Sequence, residues 1–308
     1  MEIIRDIEKD GNFNTSLYNL LSNVSSEFLH NDEHDLRHPF SIYLLAFEKI
    51  LFRLEKVLVS LKNNDNNLKS NYINFLESVN EFFDDCYNIM KCFYSRDLVK
   101  SNIIFADKWL EKVDKDGIRN YKDSIYQETK ITKYIVNKIK HEHGRIGGVN
   151  IETEYGICRG YFLEKYKDGA LIPDEEIHLK YKKSHTAFSY VQDIIRNIAS
   201  IYYVSDKVYE YLKNVVLSQD IIDCFTQYNK NNNIIEIVNQ IQSFDKVLFP
   251  DEYDKSLTMI EIIDNKKLII RRPLSYKYSI MYKRYKGFTA QLLTSGDSTT
   301  EGFAIPYI

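Results

Sequence analysis

Side chains with the means to move protons and hold an anion crowd into the stretch Lys133–Gly148. Asn137 and His141 are four residues apart, flanked by Lys138 and Lys140, and His143 and Arg145 follow at once. An imidazole titrates near neutrality and serves as acid or base. A fixed cation and an amide stabilise charge that builds on a bound oxyanion. This stretch is where chemistry is expected. A bland account stands beside it, because a helix C-terminus favours cationic side chains through its dipole, and that alone explains Lys140 and His141.

The element that must position these groups is a helix over Tyr121–His141. Ile135 and Ile139 share one face with Val136 beside them, and Asn137 and His141 lie on a polar face. Gly144 and the pair Gly147-Gly148 then end the helix and turn the chain.

The run Asn137-Lys138-Ile139-Lys140-His141 resembles the end-of-helix motif of HEPN domains, a helical family of bacterial toxins, antiphage (abortive-infection) systems and their partners. The resemblance covers roughly Phe40–Leu217 as an architecture. Active members carry Arg, a polar residue that is often Asn, a short spacer and then His. The resemblance implies that two copies meet at the motif and cleave RNA with no metal or other cofactor. A His there exchanges a proton with the 2′-hydroxyl or the leaving oxygen. With Asn137 in the family's Asn position, the family Arg falls on Val136, which binds no phosphate. Lys138 with His143 restores a cation and a His at the family spacing, with a point charge in place of a bidentate fork. Arg145 is a further source of the cation.

His30, His34 and His38 form a second constellation, with Asp32, Glu33 and Asp35 interleaved. On a helix the three rings line one face, and adjacent pairs fit Zn²⁺ ligation; as a polar segment before Pro39, the same residues read as a solvated loop. In the tail, Arg271, Arg272, Lys283 and Arg284 interleave with Tyr282 and Tyr285. That alternation suits single-stranded RNA, with phosphates on the charges and bases on the rings. It also suits an edge strand protected by its basic residues. His178 and His185 read as structural, and Arg196-Asn197 has the family's polar pair without a following His.

Around these groups the periodicity predicts helices over Asn14–Leu29, Phe40–Leu61, Leu68–Phe93, Asp97–Val113, Ser184–Leu217, Asp220–Tyr228 and Ile234–Val247. Short strands are expected at Val149–Glu154, Gly156–Lys165, Ala170–Ile172 and Ile177–Tyr181, and again at Leu257–Ile263, Lys267–Arg272, Ser279–Tyr285 and Phe288–Leu293. The resulting expectation is a mainly α protein. Residues 1–217 form an antiparallel helical bundle with a β-hairpin or meander insertion around 149–181, and residues 218–308 form a small α/β extension.

The net charge of -3 gives no global attraction to nucleic acid, so an RNA partner needs a local basic patch. Cys86, Cys92, Cys158 and Cys224 show no paired metal spacing and read as reduced thiols of a cytoplasmic protein. No stretch approaches the ~18–20 apolar residues of a membrane span. Met1–Asp10 has no signal-peptide pattern. Walker, Rossmann, nucleophile-elbow and zinc-protease signatures are missing. The function expected is a metal-independent endoribonuclease of bacterial defence or toxin–antitoxin systems, working as a homodimer. The alternative is a non-catalytic module that binds a protein or RNA partner.

Overall fold

The computed structural model describes residues 2–6, 15–100, 103–216, 234–255, 257–264, 267–271, 284–293 and 306–307. Seven α-helices are described: α1 (Ser16–Asn23), α2 (Pro39–Asn63), α3 (Leu68–Lys91), α4 (Ala106–Val113), α5 (Lys115–His141), α6 (Tyr190–Tyr211) and α7 (Ile234–Ser243). The strands are β1 (Glu2–Asp6), β2 (Arg145–Thr153), β3 (Gly156–Lys167), β4 (Ala170–Pro173), β5 (Lys180–Tyr181), β6 (Ser184–His185), β7 (Phe188–Ser189), β8 (Met259–Ile263), β9 (Lys267–Arg271) and β10 (Thr289–Leu293).

The helices start where their caps dictate. Thr15 accepts from the Tyr18 N–H at the head of α1. His38 caps α2 with Pro39 in its first turn, and the Asp114 carboxylate accepts from the Gly117 N–H at the head of α5. The central helix is α3, whose Tyr72, Phe75, Leu76, Val79, Phe82, Phe83 and Met90 are buried. It packs against α2 on one side and against α4, α5 and α6 on others.

The expected mainly α bundle is corrected to a mixed α/β fold. A five-stranded antiparallel sheet runs β10-β2-β3-β4, with β7 also paired to β3. A second antiparallel sheet runs β1-β9-β8. Strand β2 is no brief insertion after a glycine turn. It begins at Arg145, passes straight through Gly147 and Gly148, and pairs with β3 from Arg145↔Glu164 to Thr153↔Gly156. Its other edge is taken by β10, from the far end of the chain (Ala290↔Ile151, Leu292↔Val149). The strands of residues 218–308 thus pair with strands of residues 1–217 in both sheets.

Other elements shift for local reasons. Among the described residues of Asp97–Val113 a 3₁₀ turn (Arg96–Leu98) and α4 form, and Ile104 and Phe105 are exposed. The segment from Ser184 first makes β6 and β7, because Phe188 and Ser189 pair with Tyr161 and Gly160 before α6 begins. Gly160 permits that approach: a Cβ there would lie 2.4 Å from the Phe188 carbonyl oxygen. The predicted helix Asp220–Tyr228 lies outside the described residues. None of the described helices is long and apolar enough to cross a membrane.

Candidate functional site

Helix α5 buries Ile118, Tyr121, Ile125, Ile135 and Val136, which holds its opposite face to the surface. Val136 is completely buried, so the register that aligns Asn137 with the family Asn puts the family's cation position inside the core. At the end of the helix the Lys138 carbonyl accepts N–H bonds from Glu142 (3.1 Å) and Gly144 (2.9 Å). Between them His143 adopts the left-handed conformation (φ 56°), which histidine tolerates better than branched residues do. That turn delivers Arg145 to the start of β2.

Lys138, His143 and Arg145 line one cleft of about 450 Å³, closed on its other side by Glu164, Lys165 and Asp174. Lys138 pairs with Glu142 at 2.6 Å, a bond that raises the ammonium pKa, and it also sits over the Tyr134 ring. Tyr134 donates its hydroxyl to buried Asp174 (2.8 Å), and Lys165 lies 3.8 Å from both Asp174 and Glu176. Glu164 is the cross-strand partner of Arg145. Burial pushes its carboxyl up, against the pull of Lys69 and Arg145. Lys69 is itself drawn down by burial, with Glu164 opposing. One Glu164 carboxylate oxygen is buried without a hydrogen-bond partner. The other rests where a Cβ on Gly147 would stand, 2.6 Å away.

The remaining residues of the motif part company here. Asn137 lines a different groove, of about 730 Å³, together with Asp84, Tyr87 and Lys133. Lys140 and His141 are exposed and line neither cavity. Of the histidines and cations in this stretch, His143, Lys138 and Arg145 therefore share one cavity, and Lys140 and His141 do not join them. No family model, curated protein or solved structure matches this chain.

The three N-terminal histidines have separate partners. His30 Nδ1 meets Glu33 at 2.7 Å, and this bond is the first cause of a Glu33 pKa near 2. His34 Nε2 meets the Tyr94 carbonyl at 2.9 Å with its ring against Trp109. His38 Nδ1 accepts from the Phe40 N–H. Only Asp32–His34 of this segment is helical, as a 3₁₀ turn, and Asp35 is left-handed, so the shared face that zinc ligation needs does not form. Among the described residues no group of three His, Cys, Asp or Glu is placed to hold a metal.

In the tail, Arg271 is bonded to Glu2 (2.5 Å) and Glu261 (2.7 Å), tying β9 to both neighbours. Arg284 lies 3.7 Å from Asp254 and over the Tyr253 ring. Tyr285 donates to the Leu248 carbonyl and packs on Tyr253 and Phe288. Arg272, Tyr282 and Lys283 lie outside the described residues.

Glu164 and Lys69 are missing from the sequence reading, as is a buried network centred on Asp193. Asp193 accepts from Tyr161 (2.7 Å) and Tyr72 and pairs with Arg196. Asn197 donates to it (3.3 Å) and accepts from Thr132 (2.6 Å). A signal existed: Asp193 and Asn197 fall within the apolar phase of Ile194 and Ile198, where only partnered charges and amides survive burial.

Proposed function

We propose that the cleft at the end of α5 binds an RNA phosphodiester and cleaves it without a metal. The observation that carries this reading is the convergence of His143, Arg145, Lys138 and Glu164 on one cavity. His143 takes the proton of the 2′-hydroxyl, the freed O2′ attacks phosphorus, and the P–O5′ bond breaks. Glu164, whose carboxyl burial pushes up against the pull of Lys69 and Arg145, returns a proton to the departing O5′. Arg145 and Lys138 face the charge that develops on the phosphoryl oxygens. The products are a 2′,3′-cyclic phosphate and a 5′-hydroxyl. The resemblance of the α5 terminus to the HEPN motif supports this reaction class in the Lys138/His143 register, and with it a role in bacterial defence or toxin–antitoxin pairs.

A second reading is favoured by a specific feature of the lining. Lys138 and Lys165 are each met by a carboxylate, Glu142 and Asp174. A cleft of balanced charge suits a non-catalytic module that holds a protein or RNA partner by paired ionic contacts.

Incubation of the purified chain with mixed-sequence RNA in excess chelator separates the two. The nuclease reading expects cyclic-phosphate ends, loss of ~10²-fold or more in rate for His143→Ala, and little change for His141→Ala. Intact RNA with retained, chelator-insensitive binding supports the module. Equal loss in both histidine variants contradicts the assignment of His143.

A further inference from the structure

Taking the cleft at the end of α5 as an RNA site, we infer that the groove between α3, α4 and α5 is a tract for single-stranded RNA that leads into it. Along α5, Tyr126, Lys130, Tyr134 and Lys138 recur at four-residue steps. Ring and charge thus alternate every ~6 Å along the helix axis. Lys130 sits over the Tyr126 ring (5.8 Å to its centre) and Lys138 over the Tyr134 ring (5.3 Å). A row of i, i+4 positions drifts round a helix. Here the drift carries the row from one cavity to the other: Tyr126, Lys130 and Tyr134 line the groove of about 730 Å³, and Lys138 lines the cleft. Tyr134 joins the two, since its hydroxyl bonds Asp174 on the cleft side (2.8 Å).

Side-chain pairs at this spacing also stabilise a helix by themselves, but they leave the facing wall unexplained. There Ile104 and Phe105, just ahead of α4, line the groove while 88 and 72 % exposed. Tyr126 on the α5 side is 59 % exposed. Open rings on both walls of a groove suit the flat faces of unpaired bases, which an RNA duplex keeps stacked inside. The charges are distributed to match. Lys122 and Lys133 are met by Asp107 (2.7 Å) and Asp84 (4.0 Å). These pairs, with the exposed Asn137 amide, offer donors and acceptors to base edges more than charge to phosphates. Lys130 is exposed and donates to the uncharged Gln127 side chain (2.5 Å), so it meets a phosphate with its charge intact. Lys138 shares its charge with Glu142 and contributes less.

Fluorescence anisotropy on the full chain tests it, with a dye-labelled, mixed-sequence 2′-O-methyl RNA of about eight nucleotides in excess chelator. The blocked strand reads binding alone; unblocked RNA of the same sequence, kept below saturation, reads cutting. The single strand is expected to bind about tenfold more tightly than its duplex. Tyr126→Ala and Phe105→Ala each weaken binding about tenfold, with thermal melts unchanged because both side chains are exposed. Tyr126→Trp, which keeps a stacking face, retains it. Lys130→Gln reduces the salt slope by about 0.7. Binding that falls in Tyr126→Ala while the unblocked RNA stays whole upholds the tract and contradicts only the nuclease. Unblocked RNA cut equally by wild type, Tyr126→Ala and Phe105→Ala overturns the tract and leaves the nuclease standing. Equal affinity for single strand and duplex overturns the tract too, as does no binding at ~100 µM RNA.

Discussion

Gly147 and Glu164 show how tightly one position conditions the cleft. A Cβ at Gly147 would lie 2.4 Å from the Phe162 ring and 2.6 Å from a Glu164 carboxylate oxygen. Phe162 belongs to the small core under the five-stranded sheet with Val149, Ile151 and Phe249, and it has little room to retreat. Gly147→Ala is expected to cost about 1–3 kcal/mol, read as a lower urea midpoint at unchanged slope. It should also expel Glu164 from between Lys69 and Arg145; a midpoint equal to wild type would show that the strand relaxes freely. The glycine pair was visible in the sequence and was read as a turn. Glycine marks close approach in a strand as readily as it marks a helix exit, and only the partner strand decides which.

At the scale of elements, α6 carries the costliest decision. Its apolar stripe was legible from Val191 to Val208, yet its start was placed six residues early because β6 and β7 consist of two residues each. Pairs that short leave no period to read. The stripe also concealed the Asp193–Arg196 pair, whose tyrosine partners Tyr72 and Tyr161 come from α3 and β3. Burial and the adjacent carboxylate push both tyrosine pKa values well up, so the hydroxyls stay donors. Asp193→Ala strands the Arg196 guanidinium and is expected to lower stability by about 3–5 kcal/mol in denaturant titration. Asp193→Asn, which still accepts from a tyrosine, should lose less. A change within about 0.5 kcal/mol for Asp193→Ala would mean that the network contributes little. Helix α5 is legible at its end, where lysines and a histidine crowd the final turn. It begins at Lys115, six residues before the expected Tyr121, because Gly117 lies in its first turn under the Asp114 cap and does not break it. What no spacing could reveal is which of its cations and histidines line the same cavity, since the rest of that lining comes from β3, β4 and Asp174 just after it.

The whole molecule is tied together by pairings between segments far apart in the chain. Strand β1 joins β9, β10 joins β2, and Tyr307 donates its hydroxyl to Asp251 while accepting from the Ala187 N–H. Such contacts join residues far apart in the chain and leave no local trace, so a bundle with an appended tail is the natural reading of the sequence. Beside Tyr307, Glu252 is buried and accepts from the Phe249 N–H, the Ser189 N–H and the Ser189 hydroxyl. Burial, reinforced by Asp251, pushes its pKa up to about 7. The folded chain therefore retains this proton between about pH 4.5 and 7 while the unfolded chain has lost it. The stabilising contribution is complete below about pH 4.5 and falls as pH rises to 7, by roughly 3 kcal/mol for a single group. Glu252→Gln should flatten that part of the stability profile in urea titrations across pH 4–8. An unchanged slope would show that the carboxyl titrates normally.

That His143, and not His141, lines one cleft with Lys138 and Arg145 is the placement on which the proposed reaction turns. Its most direct test is histidine-resolved NMR during titration with a short RNA blocked by 2′-O-methyl groups, in chelator and at low salt. The His143 ring signals are expected to shift and saturate while those of His141, His30 and His38 stay in place. Movement of His141 with His143 unmoved, or no imidazole response at saturating RNA, would contradict it.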